Sequence, residues 1–164
     1  IEPPILWRQP EKARPVVSTL EAMKGELIWQ KTLSATDAQE QQGHPTGDLR
    51  LTQAGFHVGT ELIDPTTYFR GDIFGAAVWA ASTNVNNKLV ETAEVEFDVT
   101  ILGNHLGRMV LTVSHKPSGE ADQGNYTTNI RWGSIVSGAN LTGRELRLYA
   151  PAVSGVGPFV LEVS

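Results

Sequence analysis

A chain of 164 residues with a formal charge of −5 and no cysteine can bury one sizeable core unaided, and has neither disulfides nor thiolate metal ligands to draw on. No apolar run reaches membrane-spanning length and no signal peptide opens the chain, so a cytoplasmic protein without a membrane partner is expected. The acidic balance by itself argues against a nucleic-acid partner, because duplex binding depends on Lys and Arg neutralising phosphates.

Residues 1–17, IEPPILWRQPEKARPVV, hold four of the nine prolines, a density that favours an extended, semi-rigid connector. Ser18 to Lys24 offers Ser18 as an N-cap with Glu21 three residues on, the capping-box spacing, so one or two helical turns should precede Gly25. The division expected is therefore a linker with a short helix over 1–25 and one domain over 26–164.

From Glu26 the pattern is an apolar-rich strand, then a long polar stretch to Gly47, then a second short strand ending at Leu51. Leu51, Ala54 and Phe56 fit a short helical turn, and Asp64 before Pro65 marks a second helix start. Gly75 to Thr83 and Leu89 to Leu102 form the next strands, joined around Asn86 and Asn87. In the later strand Val95, Phe97, Val99 and Ile101 alternate with Glu94, Glu96, Asp98 and Thr100, which predicts one core face and one solvated face. Asn104 to Gly107 should turn the chain into a strand over Arg108 to Ser114.

Regular alternation then stops. Pro117, Ser118, Gly119, Gly124 and Asn125 are turn formers, so this segment should project as a second polar arm before strand chemistry resumes from Tyr126 to Trp132. Glu145 to Ala150 and Pro158 to Val163 supply the last strands. Eight strand-like runs against two or three short helical ones predict an all-β body with short helices.

Three features would have signalled catalysis, and each has a plainer reading. Glu94, Glu96 and Asp98 on one strand face are a solvated sheet surface. The spacings of His44, His57, His105 and His115 fit no zinc helix or finger, and neither a Walker loop nor a dinucleotide fingerprint occurs, so no metal or cofactor is expected. His44 and His115 fall at the bases of the two arms, where a hydrogen bond to a base or phosphate is the natural expectation. A carbohydrate-binding β-sandwich is the alternative, suggested by Trp7, Trp29, Trp79 and Trp132 in an acidic all-β chain.

KTLSATDAQEQQGHPTG and GNYTTNIRWG together resemble the two arms of the B3-like DNA-recognition domain of restriction endonucleases, with LSATDA, GHPTG and IRWG as the most telling pieces. The resemblance covers residues 26–164 and implies a pseudobarrel whose arms grip the major groove of double-stranded DNA at a specific short site. From the first arm it implies contacts by Lys31, Thr32, Ser34, Thr36, Asp37, Gln39, His44, Thr46 and Arg50. From the second it implies Lys116, Asp122, Gln123, Asn125, Tyr126, Thr127, Thr128 and Asn129. Trp132 is expected in the body and Arg131 against the arm's base.

Charge on the arms is balanced: Gln30 to Arg50 has two basic and three acidic residues, and Ser114 to Arg131 has two of each. Their amides and carboxylates suit base edges better than phosphates. Domains of this type accompany a separate nuclease domain, carrying either a His or an acidic residue two positions before a Lys. Neither pattern occurs in this sequence. The resemblance therefore implies a non-enzymatic recognition unit behind an N-terminal nuclease domain, in the order of BfiI-type enzymes more than that of EcoRII.

Overall fold

The computed structural model describes residues 24–43, 45–51, 57–58, 60–64, 67–117, 127–153 and 157–164. The expected connector over 1–17, most of the expected helix over Ser18 to Lys24, and the turn around Ala54 and Phe56 lie outside those residues. Lys24 belongs instead to the first strand.

Ten strands account for most of the described chain. They are β1 (Lys24–Thr32), β2 (Asp48–Arg50), β3 (His57–Val58), β4 (Glu61–Leu62), β5 (Ala80–Thr83), β6 (Leu89–Ile101), β7 (Asn104–Lys116), β8 (Thr127–Arg131), β9 (Glu145–Pro151) and β10 (Phe159–Val163). Eight of them form one curled, half-barrel sheet in the order β1-β9-β10-β6-β7-β8-β2, with β5 also on β6, while β3 and β4 pair separately. All pairings in the large sheet are antiparallel except β10 with β6, where Phe159 aligns with Phe97 and Val163 with Ile101. The body is thus mostly β, as the alternation predicts.

β6 and β7 form the spine, and their side chains show why. Val95, Phe97, Val99 and Ile101 are buried on the inner face of β6, opposed by Leu111 and Val113 of β7. A π-helical turn, Tyr68–Ile73, lays Phe69 and Phe74 into the concave side. There Phe74 meets Phe97 and Phe159 edge-on, at ring-centroid distances of 6.1 and 5.0 Å. Edge-to-face packing lets large rings fill a curved interior without voids. This turn follows the expected helix start at Asp64, whose carbonyl accepts the Tyr68 N–H at 3.0 Å. A four-residue helix, α1 (Gly133–Val136), buries Val136 against the same core.

Three expectations are corrected. Gly75 to Trp79 is not strand, and β5 begins only at Ala80. Leu102 and Gly103, with φ of 50° and 83°, make a two-residue hairpin, so strand resumes at Asn104 rather than after Gly107. Such a turn requires positive φ at both positions, which matches the right-handed twist of the strands it joins. Finally, Asp98 is buried on the outer face of β6, with Oδ1 2.6 Å from His105 Nε2 across the hairpin; Glu94 and Glu96 are exposed as expected.

Leucine in the left-handed region carries a steric cost that Asn largely avoids. Leu102→Asn should therefore raise unfolding free energy by about 0.5–1 kcal/mol, read from the urea midpoint at unchanged m. A lower midpoint would show that Leu102 packs usefully despite its exposure.

Candidate nucleic-acid interface

The first arm joins the two end strands of the sheet. It leaves β1 at Thr32 and returns through Gly47 into β2, so its root spans the gap that the curled sheet leaves open. Most of its polar side chains face one another. Asp37 is the centre: its Oδ2 accepts the Ser34 N–H at 3.2 Å and the Ser34 hydroxyl at 2.9 Å, while Ser34 Oγ accepts the Asp37 N–H at 3.1 Å. The same carboxylate pairs with Lys31 Nζ at 2.8 Å and accepts the Arg50 N–H at 3.3 Å. Lys31 also donates to the Arg50 carbonyl at 3.0 Å, so one ion pair ties β1, the arm and β2 together.

Gln39 sits in the left-handed region at φ 61° and acts as a second clamp. Its amide donates to the carbonyls of Thr36, Asp37 and Asp48 at 3.0–3.1 Å and accepts the Gly47 N–H at 2.6 Å. Trp132 completes the root. Its indole N–H donates to the Asp37 carbonyl at 2.9 Å, and both its own backbone N–H and that of Gly133 bond the Gly47 carbonyl at 3.0 Å. A Cβ at Gly133 would lie 2.8 Å from Gly47 Cα, so only glycine permits this approach. LSATDA, GHPTG and IRWG, far apart in sequence, therefore converge on one knot.

Lys31, Asp37 and Gln39, expected on a DNA-facing surface, instead point into the protein. Arm polarity there is structural, because buried polar groups are retained where they satisfy one another. Ser34 is exposed but its hydroxyl is engaged with Asp37. Thr32, Thr36, Thr46 and Arg50 are exposed; Thr32 donates to Glu145 Oε2 at 3.1 Å and Thr46 Oγ1 accepts the Asp48 N–H at 3.2 Å. Glu40, at the end of this turn, bonds the Thr142 hydroxyl and backbone N–H. The hydroxyl bond holds its carboxyl below the ordinary value.

The second arm lies in sequence between β7 and β8. His44 of the first arm and Asp122, Gln123, Asn125 and Tyr126 of the second lie outside the described residues. Lys116, half-buried, pairs across to Thr127 at the arm's base. Thr127, Thr128 and Asn129, expected among the DNA contacts, are buried members of β8. Thr128 faces the core and meets His115 Nδ1 at 2.9 Å. Thr127 and Asn129 lie on the opposite face by strand alternation, and their Oγ1 and Oδ1 are buried without a hydrogen-bond partner. Next to them Arg131 projects outward with 67% of its side chain exposed, its Nη2 3.8 Å from Asp48 Oδ1.

The outward face of β2, β8 and β7 between the arm roots thus presents exposed Arg50 and Arg131 and half-buried Lys116, with Asn129 and Thr127 buried on the same side. Arg131 is the member that sequence reasoning undervalued. Its position between Ile130 and Trp132, both fully buried, was the available signal, since neighbours that face inward turn the residue between them outward.

His115 is not a ligand-facing base. Burial lowers its pKa, with nearby Glu91 opposing that effect. Glu91 itself is held below the ordinary carboxylate value by its bond to Arg70, which is stacked 4.3 Å from the Trp79 ring centroid. Among the described residues no group of three or more His, Asp or Glu could hold a metal ion, and no helix is long and apolar enough to cross a membrane.

Two outcomes follow from this geometry. Asp37→Ala strands Lys31 in a site where only 13% of its side chain is exposed, so the cost should be about 3–5 kcal/mol, measured by denaturant titration; a loss under about 1 kcal/mol would mean the knot is peripheral. His115 is neutral when folded and takes a proton near pH 6.5 when unfolded, so its contribution is complete above that value and is lost as pH falls through the depressed folded one. The melting temperature should drop on acidification from about pH 7.5 to about pH 5.5, and His115→Gln should flatten that drop; an equal drop in the variant would place the titrating group elsewhere. Compared with family profiles, curated proteins and solved structures, the chain has no match.

Proposed function

We propose that this chain binds double-stranded DNA sequence-specifically, as a B3-like pseudobarrel serving as the target-recognition domain of a restriction endonuclease. The observation that carries the reading is the pair of arm roots on the β2–β8–β7 end of the sheet, with Arg50, Arg131 and Lys116 on the face between them. In this reading the three cationic groups hold phosphates and the arm crests meet base edges in the major groove.

Net charge no longer weighs against a DNA partner once charge is mapped. Glu26, Glu61, Asp64, Asp72, Glu94 and Glu96 all line grooves on other parts of the body, whereas among the described residues the face between the arm roots carries three cations and one carboxylate, Asp48. A local positive field is what a polyanion responds to. The unpartnered oxygens of Thr127 and Asn129 lie on this same face, where unsatisfied buried polar groups call for an explanation. Among the described residues the carbohydrate-binding alternative finds no aromatic platform, since Trp29 and Trp132 are buried and Trp79 lies under Arg70; Trp7 lies outside them.

Base reading then falls to Thr36, Thr46, His44 and the second-arm residues Gln123, Asn125 and Tyr126, while Lys31, Asp37 and Gln39 hold the first arm in shape. Cleavage belongs to a nuclease domain of the parent protein, N-terminal to this unit.

Selection from a randomised duplex pool tests the proposal directly, and enrichment of one short site is the expected result. On that site Arg131→Ala and Arg50→Ala should weaken every sequence variant alike and reduce the salt slope by about one each. Asn125→Ala should cost about 1–3 kcal/mol at a single base position. Absence of any enriched site, with no duplex binding at low salt, would overturn the proposal. The chain alone should leave plasmid carrying the site intact with magnesium present; nicking that persists through repurification would reassign it as an enzyme.

A further inference from the structure

The large sheet has a notch in it. β5 occupies one edge of β6 along Leu89–Thr92 and β10 occupies the same edge along Phe97–Ile101, while β7 takes the opposite edge. Residues 93–96 are left without a strand on that side, and no turn or loop among the described residues bonds to them. Four residues span about 13 Å and present backbone N–H and C=O groups at alternate positions.

The notch opens into a groove of about 700 Å³. Ile28, Phe74, Val95 and Phe159 contribute its apolar surface, and Glu26, Asp72, Glu94 and Glu96 stand around them. No Lys, Arg or His lines it among the described residues. Glu94 accepts the Thr112 hydroxyl and Glu96 lies 3.7 Å from Arg108, but Glu26 and Asp72 are exposed and pair with no cation among the described residues. An adjoining groove shares Glu26 and Asp72 and adds Glu61 and Asp64. Tyr68 reports the resulting field: burial first, then Glu26, Asp72 and Glu61, push its hydroxyl up to about 12.

We propose that this notch is a docking site for an extended, cationic segment of a partner polypeptide, added as a short strand beside Ala93–Glu96. Each part of the site selects a part of that ligand. The open edge asks for a polypeptide backbone, the apolar floor for one aliphatic or aromatic side chain, and the four carboxylates for Lys or Arg on either side of it. A small polyamine would satisfy the carboxylates but leave the edge and floor unused. The site stands independently of the DNA reading. It borders the start of β1 and the end of β9, whereas the first arm leaves from the end of β1 and lies near the start of β9.

The test is selection of a displayed random-peptide library on the full chain. Enrichment of Lys or Arg around a single Phe, Leu or Ile is expected, and the selected peptide should lose about tenfold or more in affinity for a Glu26→Gln/Asp72→Asn variant. Both side chains are exposed, so an unchanged melting curve will confirm that the variant folds. Backbone N-methylation of the peptide should abolish binding at alternate positions only. Selected peptides without basic residues, binding indifferent to the double variant, or N-methyl effects without a two-residue period would each overturn the proposal. So would concentration-dependent self-association in sedimentation that the double variant abolishes, which would identify a second copy as the occupant.

Discussion

A curled sheet that does not close has two end strands, and something must hold them at a fixed separation. In this protein that task falls to the carboxylate of Asp37. Through Lys31 it reaches β1, through the Arg50 N–H it reaches β2, and through Ser34 it shapes the turn between them. A charge pair this far from water is stabilising only if its remaining hydrogen-bonding capacity is also met. Four donors on one carboxylate meet that condition. The Lys31 ammonium, placed 5.8 Å from the Trp29 ring centroid, gains a further favourable contact.

Because the same knot bridges the sheet's two end strands and roots the first arm, arm geometry and sheet curvature are one variable. Trp132 and Gly133 extend the coupling to β8, and so to the base of the second arm. A rigid shared root is what two arms need if they are to keep a constant spacing across a ligand.

What could be read in advance divides along physical lines. β6 was legible because two-residue periodicity over Val95, Phe97, Val99 and Ile101 depends only on local backbone geometry. Trp132 was expected in the body through the family resemblance alone, and it is fully buried there. Asp98 was not legible, since its partner His105 reaches it only through a two-residue hairpin and a register shift between Val99 and Thr100. The first arm was misjudged in a more instructive way. Its polar composition marked it as special, yet composition cannot distinguish polar groups that satisfy one another from those that face outward. The spacing of Ser34 and Asp37, a reciprocal box like those that cap helices, was the one local clue that the loop folds on itself. The notch beside β6 had no sequence signal, because it exists only where two strands distant in sequence stop short of each other on a shared edge.

The place of β10 has a kinetic consequence. It lies between β9 and β6, and its parallel register with β6 joins Phe159 to Phe97, so the two halves of the sheet cannot be joined until residues some sixty positions apart have met. Local hairpins such as β6–β7 can form in microseconds, but a parallel pairing of this separation must first overcome the entropy of closing the intervening loop. During that interval the facing edges of β9 and β6 are unpaired, and they carry Leu148, Phe97 and Val99. Refolding should therefore pass through a slow, aggregation-sensitive stage whose severity depends on protein concentration.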